Sequence, residues 1–104
     1  MDLPVDYWVK YDSFAHGGIV IDASETGCLI YSIEDIPIGT KLRISVLFPR
    51  EYELAKLEVG AEIIRKNVVD NGDEGYQYGT KFILILQEEY RKLRELFIEK
   101  LLSN

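Results

Sequence analysis

Residues 41–48 alternate cleanly, with Leu42, Ile44 and Val46 on one side and Lys41, Arg43 and Ser45 on the other. A period of two is the mark of a strand with one wet face. Residues 5–11 are rich in β-branched and aromatic side chains and predict a first strand. Ser13 to Gly18 predicts a turn, with His16-Gly17-Gly18 supplying permissive backbone. A second strand is expected over 18–23, a tight connection over 24–27 and a third strand over 28–32. Pro37 and Gly39 punctuate a loop over 33–39.

After the strand 41–48, Pro49-Arg50-Glu51 breaks the pattern, and 52–68 predicts a longer strand with a possible bend at Gly60. Asn71-Gly72 is a strong short hairpin signal. A last strand is expected over 76–84, with Tyr76, Tyr78, Thr80, Phe82 and Leu84 on one side. The period then changes. Tyr90, Leu93, Phe97 and Leu101 fall at helical spacing and predict a helix over 87–102. The expected fold is all-β: a six-stranded antiparallel barrel or sandwich with one C-terminal α-helix.

Length and composition narrow the class. At 104 residues and 47% apolar, the chain reads as one globular domain over 1–104, too short to hold a catalytic domain as well. No apolar run approaches the roughly 20 residues of a membrane helix. Met1-Asp2-Leu3-Pro4 has no signal-peptide character, so the expectation is a cytoplasmic protein without membrane insertion. The net charge of −6 argues against DNA or RNA as a partner, because such binding needs clustered Lys and Arg.

Candidate chemistry is sparse. Cys28 is the single cysteine; it excludes an internal disulfide and reads as a small buried apolar residue. His16, the single histidine, reads as a turn residue. Asp70, Asn71, Asp73 and Glu74 lack the spacing of a calcium loop, so no metal site is expected. Ser24 is not in a Gly-x-Ser-x-Gly elbow, and no phosphate-binding loop occurs. The chain is not expected to be an enzyme or to carry a cofactor. Trp8 is the aromatic expected at a partner surface, since Trp is enriched at interface centres.

One segment stands out: Asp22-Ala23-Ser24-Glu25-Thr26-Gly27, an Asp-x-Ser-x-x-Gly run between two expected strands. Read locally, it is a β-turn in which Asp and Ser bond their own backbone and Gly27 takes a positive φ. In that position it also resembles the nucleotide-contacting loop of PilZ domains, receptors for cyclic-di-GMP. Pro37-Ile38-Gly39 before the alternating strand, Val59-Gly60-Ala61-Glu62-Ile63-Ile64-Arg65, Tyr76-Gln77-Tyr78-Gly79-Thr80-Lys81-Phe82 and the C-terminal helix resemble further family elements. The resemblance spans about residues 5–100.

The resemblance implies a PilZ-like barrel, cyclic-di-GMP as candidate ligand and output through an unidentified protein partner. Asp22 would accept from the guanine edge, Ser24 would supply a hydroxyl, and Gly27 would admit the ligand to the backbone. The family also carries an Arg-x-x-x-Arg motif ahead of its first strand. Here the first arginine is Arg43; a motif of that kind would lie upstream of Met1 if the native product extends there. Charged hydrogen bonds contribute roughly 1.5–3 kcal/mol each, so losing two costs about 10²- to 10⁴-fold in affinity. Lys10, Lys41, Arg43 and Lys81 are the candidate substitute donors. The alternative is an adaptor that binds no nucleotide and acts through protein partners, for example in type IV pilus or motility machinery.

Overall fold

A computed structural model describes residues 3–9, 14–50, 53–69, 74–85 and 91. Six strands account for most of them: β1 (Leu3–Val9), β2 (His16–Ala23), β3 (Gly27–Ser32), β4 (Lys41–Arg50), β5 (Glu53–Val68) and β6 (Tyr76–Leu84). They close into an antiparallel barrel in the order β1-β2-β3-β6-β5-β4, with β1 pairing both β2 and β4. Closure removes the free edges that an open sheet would expose.

The period-two pattern fills the interior. Val5 and Tyr7, Val20, Cys28 and Ile30, Leu42, Ile44 and Val46, Leu57, Val59, Ala61 and Ile63, and Tyr78 are all buried. Polar groups inside are bonded in pairs. The Tyr7 and Ser32 hydroxyls lie 2.5 Å apart, and Thr80 Oγ1 donates to the Cys28 carbonyl oxygen at 2.9 Å.

The loop between β3 and β4 lies over one end of the barrel. Its Ile36 is buried, and the Ile36 N–H donates to the Tyr78 hydroxyl at 2.8 Å. That hydroxyl in turn donates to the Glu34 carbonyl, and Lys66 is ion-paired with Asp35. Gly39 turns the chain with a φ of 93°, and its N–H donates to the Ile63 carbonyl at 2.7 Å.

Three sequence expectations change. His16-Gly17-Gly18 is not a turn: His16 pairs with Tyr7, Gly17 with Asp6 and Gly18 with Val5, extending β2 backward. Backbone pairing across the barrel outweighs the local turn preference of two glycines. Gly27 does not take a positive φ; among the described glycines only Gly39 does. Leu84 is exposed rather than sharing the buried side of Tyr78 and Thr80, because a register shift intervenes between Phe82 and Leu84. The predicted helix over 87–102 lies outside the described residues except for Arg91, as do Lys10 and the hairpin tip 70–73.

Candidate functional site

A β-strand alternates its side chains between the two faces of the sheet, and a bulge of one extra residue resets that alternation. Two of the three register shifts in the described strands shape one stretch of the outer face. On β2 and β3, Val20 pairs with Ile30 and Asp22 with Leu29, leaving Ile21 as the extra residue. On β5 and β6, Ile63 pairs with Thr80 and Arg65 with Gly79, leaving Ile64 as the extra residue. Val20 and Ile63 point inward and are fully buried. Strict alternation would therefore carry Asp22 and Arg65 into the core as well. The bulges turn both outward instead.

The outcome is a single row on the outside of four neighbouring strands: Asp22 on β2, Leu29 on β3, Gly79 on β6 and Arg65 on β5. Three inter-strand steps span about 14 Å. The adjacent row begins with Gly27 and Lys81. These residues line an open groove of about 460 Å³ together with Ser24, Thr26 and Ile64. Leu29 and the bare backbone of Gly79 form a low floor between a carboxylate at one end and a guanidinium at the other.

The loop at the mouth of the groove is built by its own side chains. Asp22 Oδ1 accepts from the Ala23 N–H at 2.8 Å. The Ser24 N–H donates to the Gly27 carbonyl at 2.8 Å, and Ser24 Oγ accepts from the Thr26 N–H at 3.3 Å. The Phe82 N–H donates to the Thr26 carbonyl at 2.8 Å, which ties the loop to β6. Ser24 thus shapes the turn. Gly27 is required for packing: a Cβ there would land on the Thr80 carbonyl oxygen of β6. Its missing side chain admits a strand, where the sequence suggested close approach of a ligand.

The candidate basic donors separate. Lys81 lines the groove. Lys41 pairs across β4 and β5 with Glu62. Arg43 lies with its guanidinium carbon 4.4 Å from the centre of the Trp8 ring, outside the groove, so both residues belong to the β1–β4 face. Lys10 is not among the described residues.

Arg65 is the lining residue that sequence reasoning missed. A signal was present, since Leu57, Val59, Ala61 and Ile63 set an inward alternation that a charged residue at 65 violates. A charge at an inward slot signals a bulge.

Cys28 touches the groove from below but is inert there. Burial pushes its thiol up to about 11, against the smaller opposing effect of its hydrogen bond with Thr80. Among the described residues, no three or more His, Cys, Asp or Glu side chains are grouped to hold a metal ion. Nor is any described helix long and apolar enough to cross a membrane.

Comparison with known proteins agrees with this architecture. The Bacillus subtilis inhibitor of motility MotI superposes with a TM-score of 0.80 at 17% identity, over 100% of this chain and 49% of its own. Klebsiella pneumoniae MrkH in its apo state gives 0.78 at 14% identity, over 99% and 48%. The PilZ domain of Escherichia coli YcgR, solved with cyclic-di-GMP, gives 0.70 at 14% identity, over 98% and 83%. The chain thus spans about half the length of the first two. No curated protein matches it in sequence. The family model described as PilZ domain matches residues 1–99, and the chain belongs to the PilZ domain family.

Proposed function

We propose that the chain is a signalling module that binds cyclic-di-GMP in the groove beside the Asp22–Gly27 loop and transmits the bound state to a protein partner in the cytoplasm. The observation that carries this reading is the bulge at Ile21, which turns Asp22 outward at the head of an open groove. A carboxylate there accepts from guanine N1–H and the exocyclic amine together. Support comes from the YcgR PilZ domain, whose structure contains this nucleotide. The role is that of a receptor, with no reaction assigned to it.

Calorimetric titration with cyclic-di-GMP at low and physiological salt tests the reading. Saturable, salt-sensitive binding is expected for an anionic ligand held by local cations in a chain of net charge −6. Asp22→Ala is expected to abolish it; an unchanged affinity in that variant sinks the assignment.

A second reading is favoured by one feature of the sequence. Arginines occur at 43, 50, 65, 91 and 94, so Arg-x-x-x-Arg spacing is found nowhere in the chain. An adaptor independent of nucleotide would need no such motif. Exposed Ile33, Ile38 and Val68 offer apolar surface to a protein partner. Silence in the titration to millimolar ligand, together with specific capture of one protein, would establish the adaptor instead.

A further inference from the structure

The groove has an end that the Asp22 loop does not explain. We propose that Arg65, with Lys81 beside it, is the anion clamp of this chain. The groove then holds one guanine nucleotide, its base edge on Asp22 and its phosphate between the two cations. This rests on the ligand reading above and assigns its missing phosphate contacts.

Three observations carry it. First, the register places Arg65 in the same outer row as Asp22, three strands away. The separation of about 14 Å is on the scale of a nucleotide from base edge to phosphate once both side chains reach inward. Second, the guanidinium lies along Gly79. A Cβ on that residue would sit 2.9 Å from Arg65 Nε and 3.2 Å from its Cβ. The bare glycine therefore gives the side chain a bed across the groove floor. Third, neither Arg65 nor Lys81 has an ion-pair partner among the described residues, in a chain with 18 acidic residues. Glu62, which neighbours Lys81 across the β5–β6 ladder, makes no salt bridge to it. Other described cations are already placed, Lys66 on Asp35, Lys56 on Glu58 and Arg43 on Trp8, while Lys41 lies outside the groove.

The chemistry follows from the side chains. A planar guanidinium offers parallel donors to two phosphate oxygens, and a lysine adds a point charge to a third. The groove lining thus carries two cations and one carboxylate, a local field opposite to that of the whole protein. An apolar Leu29 between the ends gives the base or sugar a surface to cover.

The test is calorimetric titration of the full chain with cyclic-di-GMP and with GMP. It compares the wild type with Arg65→Gln, Lys81→Gln, Gly79→Ala and Asp22→Ala. Thermal melts monitor folding, which the exposed Arg65 and Lys81 should not affect. We expect GMP to bind as well as cyclic-di-GMP, because one nucleotide fills the row. Arg65→Gln should weaken both by about tenfold or more and flatten the salt dependence. Gly79→Ala should weaken both while keeping every charge, because its Cβ pushes the guanidinium aside.

Loss in Asp22→Ala with unchanged affinity in Arg65→Gln overturns the clamp and leaves the ligand reading standing. Loss in Arg65→Gln with unchanged affinity in Asp22→Ala does the reverse: the anion end stands and the guanine contact falls. Absence of binding by the wild type overturns both. Cyclic-di-GMP binding without GMP binding overturns the single-nucleotide groove.

Discussion

Gly27 and Cys28 stand next to each other and do different work for the same strand pair. A side chain at 27 has nowhere to go, because Thr80 of β6 occupies the space. Gly27→Ala should therefore cost about 2 kcal/mol or more, read as a shift in the denaturant midpoint. Parallel loss of nucleotide binding is expected, since the Ser24–Gly27 turn moves with it.

Cys28, pushed to about 11 by burial, should resist thiol reagents at neutral pH until the barrel unfolds. Rapid labelling of the native protein would contradict its placement. Tyr7 and Tyr78 give the corresponding pH signature. Burial raises both above the ordinary tyrosine value of 10.0. The folded state then holds a proton that the unfolded state has released. Their stabilising contribution is complete below about pH 10 and is lost as pH climbs through the raised values. Alkaline unfolding should coincide with delayed tyrosinate absorbance from these two residues.

At the scale of elements, bulges and one hydroxyl decide what the strands present. Under strict alternation through Ile21 and Ile64, Asp22 and Arg65 would face the core, where an unpaired charge is costly. Such bulges re-aim a side chain without breaking the barrel. At the opposite end, the Tyr78 hydroxyl of β6 links the N–H of Ile36 and the carbonyl of Glu34 in the β3–β4 loop. Tyr78→Phe leaves both the Ile36 N–H and the Glu34 carbonyl without this partner at once. It should cost about 1–3 kcal/mol and speed amide exchange in the loop more than elsewhere. Exchange that is uniform along the chain would show that the hydroxyl does not hold the loop.

The whole molecule depends on β1. It is the strand that pairs both β2 and β4 and so closes the ring. Its Val5 and Tyr7 are buried in the shared core. Removing residues 1–9 should leave two unpaired edges and an open interior, giving a chain that aggregates rather than melts cooperatively. A cooperative melt of the shortened chain would mean that the remaining five strands suffice. The arrangement also separates functions in space. The groove lies across β2, β3, β6 and β5, while Trp8 and Arg43 occupy the β1–β4 face.

The alternation of Leu42, Ile44 and Val46 and of Leu57, Val59, Ala61 and Ile63 determined the strands and their buried faces, because the side-chain period of a strand is local and fixed. The Asp22–Gly27 segment was likewise legible, since Asp and Ser bond their own backbone within a few residues. Family membership followed from those patterns taken together. Whether a charged residue faces water or core after a bulge depends on which partner strand it meets, and no local pattern records that. The place of Arg65 in the groove lining is therefore not legible in the sequence, nor is that of Arg43 beside Trp8. His16 to Gly18 reads locally as a turn because its pairing partners lie on β1, at positions that its own local pattern does not record. The candidate site joins residues 22, 29, 65, 79 and 81 across four strands, and only the pairing of β6 with β3 and with β5 brings them into two adjacent rows.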